Sequence, residues 1–198
     1  MAIRLPFAKL TVWQQNVFAA ALLERMLPNY QMFSEATSFG DKSQLKNQLS
    51  LVWQRALKAK SAKLNADAQL EKLEPNIPDP NEFDFFGVFP ALDSVMALAA
   101  LLQFQQDKDV ENIQQVSRLS ENSVLAYVEL MLAEESDEQE AIDASTQVKQ
   151  HPLYEWEKAT QNELFDFLKN APENESTVKR AKDLVLSEGL SNLGIEIV

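Results

Sequence analysis

The sequence contains no cysteine. That removes disulfide frameworks, thiolate nucleophiles and cysteine-ligated zinc or iron–sulfur centres together. Histidine is almost missing too. His151 is the only one, so the Glu-x-x-His pairs of helical di-iron sites and the H-E-x-x-H zinc motif are absent. A Ser-His-Asp triad would have to use it without local support, and its place directly before Pro152 suits a surface or capping role. Four glycines in 198 residues disfavour turn-rich all-β folds. There is no P-loop, no G-x-G-x-x-G turn and no G-x-S-x-G elbow. Basic charge is scarce, eighteen Lys/Arg against thirty Asp/Glu, for a net −12. Nucleic acid is therefore not expected as a partner, since it demands a clustered basic surface. Anionic membranes are disfavoured for the same reason.

What remains is apolar and helical in period. A hydrophobic share of 45% with eleven Phe can build the core of one domain over 1–198. The central stretch is 83–104, FDFFGVFPALDSVMALAALLQF, which from Phe85 stays apolar to Leu102 except for Asp93 and Ser94. A helix apolar on all sides is usually buried, and Gly87, Pro90 and Asp93 make burial in protein a better reading than a membrane span. A second apolar run, 17–23, is followed by Glu24-Arg25 and not by a small-residue cleavage site, so no secretory leader is read. Cytoplasmic location is the expectation.

The fold class expected is all-α, a compact multi-helix domain of about eight helices around two apolar ones, 12–27 and 90–104, with a short extended C-terminal tail. Thr11 is placed to cap the first helix and Pro28 to end it, with a short second helix closed by Phe39-Gly40. Asp41 caps a helix to about 60, with Leu45, Leu49, Val52, Trp53, Ala56 and Leu57 on one arc. Asn65 caps a helix to about 74, and Pro75, Pro78 and Pro80 predict a stiff extended connector. A long helix follows from 110 towards 133, where Ser117, Ser120 and Ser123 could bend or split it. The acidic segment 134–143 reads as a solvated end or loop. His151-Pro152 opens the next helix, and Ser176 caps a last one closed by Gly189.

Four features could carry chemistry. Asp93, one turn into its helix, sits where N-terminal N–H groups favour a carboxylate, and as a buried acid it needs a partner. Arg25, at the end of the other apolar helix, is the candidate partner, and Asp84 and Tyr30 complete a possible small polar ligand site. Asp67, Glu71 and Glu74 recur at i, i+4, i+7 and are a weak candidate metal set; a solvated acidic face offset by nearby lysines is the plainer reading. Residues 42–66 hold six Lys/Arg and no acid, which could receive an acidic partner or a phosphate, or pair internally.

Trp13, the segments ERMLPNYQMF (24–33), Phe39-Gly40-Asp41, QLEKLE (69–74), FDFFGVFPALD (83–93) and SNLGI (191–195) occur in an order that resembles the YjaG-like family of uncharacterised bacterial proteins. The resemblance spans nearly the whole chain. It implies a compact all-α bacterial cytoplasmic protein and carries no activity, cofactor or catalytic residue with it. The leading functional expectation is a non-enzymatic binding or interaction protein without a cofactor, for which a homodimer is one conceivable form. The alternative is a small-molecule or acid/base site around Asp93, Asp84, Arg25 and Tyr30.

Overall fold

A computed structural model of the chain describes residues 3–57, 64–135 and 144–197. These form eight α-helices, and no strand occurs among them. The helices are α1 (Val12–Thr37), α2 (Lys42–Ala56), α3 (Ala66–Leu73), α4 (Val88–Asp107), α5 (Val110–Glu135), α6 (Ala144–Gln150), α7 (Pro152–Asn170) and α8 (Glu175–Val185). Lys58, Lys60, Lys63 and most of the acidic 134–143 segment lie outside the described residues.

Local chemistry sets the starts. Thr11 Oγ1 accepts from the Gln14 N–H while the Gln14 side chain accepts from the Thr11 N–H, a reciprocal capping box. Asp41 caps α2, and Asn65 caps α3. His151 caps α7, its Nδ1 accepting from the Leu153 N–H at 3.2 Å. Pro90 occupies the first turn of α4, where its missing N–H costs nothing.

The two apolar helices lie at the centre as expected. Along α1, residues 17–23 are fully buried, and α1 packs along α4. Helix α4 also lies against α5, and α2, α7 and α8 close the sides of α1. By length and composition α4 could cross a membrane, yet 67% of its most apolar window is buried inside the protein. A second, smaller cluster forms where the far half of α5, α6, the start of α7 and the tail meet, with Val124, Val128, Val148, Tyr154 and Leu193.

Several local expectations are corrected. Pro28 does not end the first helix; α1 continues to Thr37 with Pro28 inside it. A proline in a helix removes one N–H and crowds the carbonyl four residues earlier, and here nearby carbonyls find partners elsewhere. The Arg25 carbonyl accepts from the Asn192 N–H at 3.2 Å, and the Met26 carbonyl from Ser94 Oγ at 2.9 Å. The proline connector is not extended throughout but holds two 3-10 turns, Glu74–Asn76 and Pro80–Glu82. Ser117, Ser120 and Ser123 neither split nor end α5, because their hydroxyls bond to other helices. Asn174 and not Ser176 caps α8, which ends at Val185, four residues before Gly189. Leu57 is 42% exposed, off the buried arc of α2.

Candidate functional site

The four candidate ligand-binding residues do not converge. Asp93 is half-buried and accepts from Ser123 Oγ at 2.7 Å. Burial pushes its pKa up to about 6, the Ser123 hydrogen bond working against it. It does not pair with Arg25, and helix geometry explains why. Its neighbour Ser94 faces α1 through the bond to Met26, so Asp93, about 100° further round, is turned to α5. Tyr30 is buried and donates to the Asn76 carbonyl at 3.1 Å; burial, then the Asp41 charge, holds its pKa up near about 12. Gly40, at φ +68°, lies so close that a Cβ there would fall 2.0 Å from Tyr30 Oη. Asp84 is exposed in the connector, and Asp67, Glu71 and Glu74 are all exposed. No group of three His, Asp or Glu among the described residues is arranged to hold a metal ion.

Arg25 has another partner, one the sequence reading missed. Its Nη1 donates to Glu157 Oε2 at 2.7 Å, and both side chains are completely buried. The other carboxylate oxygen accepts from Ser120 Oγ and from Gln161 Nε2, each at 2.7 Å. Ser117 Oγ donates to Gln161 Oε1 at 2.6 Å. The tail closes the set: Asn192 Nδ2 reaches Ser120, and Asn29 Nδ2 donates to Asn192 Oδ1 at 2.8 Å. The guanidinium lies 4.2 Å from the ring centre of Trp156, a cation–π contact. Charge-assisted bonds of this kind are strong in a dry interior. Yet Arg25 Nε and Nη2 make no bond within the protein. With both carboxylate oxygens occupied and both charged groups sealed from solvent, the arrangement ties α1, α5, α7 and the tail together. It offers a substrate no approach.

The accessible relief lies on another face of α1. A cleft of about 500 Å³ has Leu27, Leu49, Trp53, Leu57 and Ile197 among its lining residues. One corner is polar: Glu24 Oε1 accepts from Trp53 Nε1 at 2.7 Å and from Lys182 Nζ at 2.9 Å, and that ammonium lies 4.4 Å from the Trp53 ring centre. The indole is thus fixed at its edge and its face. A smaller hollow of about 200 Å³ continues from Pro28 and Gln31 to Met32, Glu35 and Ile195. Glu24, Leu27, Pro28, Gln31 and Glu35 follow one another along one face of a helix. The combined groove therefore runs about 16 Å along α1 at 1.5 Å per residue, between α2 and the tail.

A family model described as "Protein of unknown function (DUF416)" matches residues 3–196. The chain belongs to this family. It is 37% identical over 197 residues to the "Uncharacterized protein YjaG" of Escherichia coli (strain K12), covering 98% of this chain and 95% of that protein. An uncharacterized protein of Haemophilus influenzae is 33% identical over 187 residues, or 93% and 91% of the two chains. The crystal structure of a DUF416 family protein from Shewanella baltica OS155 superposes with a TM-score of 0.85 at 37% identity, over 98% of this chain and all of that one. No activity is attached to these relatives' names, and function is unknown across them.

Many of the segments behind the family resemblance fall on structural nodes of this DUF416 chain. Arg25, Asn29 and Asn192 belong to the buried tie, and Tyr30, Gly40 and Asp41 meet around Asn76. A signal for Glu157 did exist. With Gln161, Leu164 and Leu168 it recurs at four, three and four, polar residues on the buried face of α7.

Proposed function

We propose that this DUF416 protein acts by binding and not by catalysis, through the groove over α1, and that its partner is an amphipathic helical segment of another protein. The observation that carries the reading is the continuity of the groove, about 16 Å along one helix face, which matches roughly three turns of a docked helix. Its floor is aliphatic and aromatic, as anchoring residues at three- and four-residue spacing require. The exposed Met32, Leu57 and Ile197 enlarge the apolar area at its margins. Both signs of charge line its margins, Lys46 and Lys182 against Glu24, Glu35 and Glu196, so a helix with mixed charges beside its apolar stripe fits. The alternative acid/base site gains no support from the geometry, since Asp93, Asp84, Arg25 and Tyr30 face four different surroundings and Asp93 lines none of the principal clefts.

The test uses a phage-displayed library of twelve-residue peptides selected on the full chain, followed by a synthetic copy of the enriched peptide. Three tryptophans give three indole N–H signals in a nitrogen–proton correlation spectrum, and only Trp53 lines this groove. The expected outcome is a saturable shift of the Trp53 signal. Ser50→Arg and Leu57→Arg, both at exposed positions, should weaken binding by about tenfold or more, equal to about 1.4 kcal/mol. Peptides that bind these variants as tightly as wild type, or leave Trp53 unmoved, would overturn the reading.

A further inference from the structure

The geometry points to a second site, independent of the groove: a cleft between the start of α1 and the C-terminal ends of α2 and α4 that binds a small planar organic acid, its carboxylate on Arg55 and Lys108 and its ring against Trp13. The cleft measures about 450 Å³, within the range of ligand sites. Trp13 forms part of its wall and is half-buried, its Nε1 donating to the Ala56 carbonyl at 2.9 Å. That bond fixes the indole in one orientation, so an apolar plane is present before any ligand arrives. Phe104 lies beside it, and the amide pair of Gln105 and Asn16, bonded at 2.6 Å, forms the polar part of the lining.

The charges give the chemistry. Two cations, one on α2 and one just past α4, face one cleft, and they are close enough that Arg55 helps burial to hold the Lys108 pKa below its ordinary value. Lys108 already serves the fold. It follows α4 in a left-handed conformation, and its Nζ donates to the carbonyls of Phe104 and Gln105 at 3.0 and 2.6 Å. A cation there also complements the helix dipole. Two of its three N–H donors are used, and one is left. Arg55 is not engaged in this way. Its guanidinium makes no hydrogen bond or ion pair among the described residues, although the chain carries an excess of twelve negative charges. The one acid on the lining, Glu173, accepts from Thr11 Oγ1 at 2.8 Å. A carboxylate placed between Arg55 and Lys108 would relieve the like-charge repulsion and could be held by both donors of the guanidinium fork. Arg55, a member of the run of six cations without an acid in 42–66, thus has a position that suits an anion.

Arg55 projects from α2 on the side opposite Lys46, Ser50, Trp53 and Leu57, at about 100° per residue. The two sites therefore report through different tryptophans. The experiment titrates sodium benzoate, benzyl alcohol and inorganic phosphate separately into the isotopically labelled full chain, the indole signals being assigned with single Trp→Phe variants. Benzoate should move the Trp13 signal saturably and leave Trp53 and Trp156 in place. Arg55→Gln, a change at an exposed side chain, should weaken this response by about tenfold, and added salt should weaken it further. Three results would each overturn the proposal: no movement of Trp13, an equal response to the neutral alcohol, or an equal response to phosphate, which has no ring to place. Failure of the peptide selection at Trp53 would leave this result untouched.

Discussion

Replacing Glu157 by Gln tests the buried tie most directly. The substitution keeps shape and volume but removes the one anion that faces Arg25 at 2.7 Å, with both partners fully buried. Gln161 and Ser120 lose a charged acceptor at the same time. Breaking a buried pair from one side typically costs about 3–5 kcal/mol, because the surviving charge is left uncompensated. Nothing near Arg25 can absorb the change, since its Nε and Nη2 already lack partners within the protein. At roughly 2–4 °C per kcal/mol for a domain of this size, the melting temperature should fall by about 6–20 °C. Circular dichroism melts with parallel urea titrations measure both quantities. The double variant Arg25→Met with Glu157→Met removes both charges and should recover a substantial part of the loss. A melting point for Glu157→Gln within about 2 °C of wild type would refute the argument. So would a double variant whose loss equals the sum of the two single losses.

Asp93 carries a pH signature. Its pKa is raised from 3.8 to about 6 in the folded protein, so its contribution to stability is greatest below 3.8 and is lost as pH rises towards 6. Asp93→Asn, which can still accept from Ser123, should match wild type near pH 3.5 and melt higher above pH 6.5, by at least about 2–4 °C; a difference independent of pH would contradict this. Gly40→Ala forces a Cβ against Tyr30 Oη at φ +68° and should cost about 1–3 kcal/mol in chemical denaturation. Asn192→Ala removes the side-chain bonds to Ser120 and leaves Asn29 Nδ2 without its acceptor. It should lower stability by about 1–3 kcal/mol and speed hydrogen exchange at the Ser191, Gly194 and Ile197 amides, and unchanged exchange would show that the tail is held without it.

The fold was legible wherever pattern and cap coincided. The run 17–23 and α4 are apolar on nearly every side, and burial at the centre is the stable place for them. Thr11, Asp41, Asn65 and His151 marked their helix starts because capping is a local interaction. Pro28 misled for a tertiary reason: the cost of an internal proline falls when other segments satisfy the carbonyls around it, and Asn192 and Ser94 come from far along the chain. Asp93 was recognised as an unusual acid, but its partner was not. A helix register decides between α1 and α5 by a single residue, and apolar residues surround both faces alike. Glu157 was overlooked because an acid among Leu, Trp and Phe ordinarily reads as exposed, and its spacing with Gln161, Leu164 and Leu168 shows a buried face but not the partners, Arg25 and Ser120, that make burial tolerable. The two clefts depend on how helices diverge, which no local pattern encodes.

The buried tie has a consequence for how the chain is made. Arg25 leaves the ribosome early, whereas Glu157 follows 132 residues later and the Asn192 that binds Asn29 lies 163 residues beyond it. At about 5–20 residues per second, α1 carries an unmatched cation for on the order of 10 s of synthesis. Burying it alone would be costly, so the interior around α1 is completed only by residues made late in synthesis, the Glu157 carboxylate and the Asn192 amide.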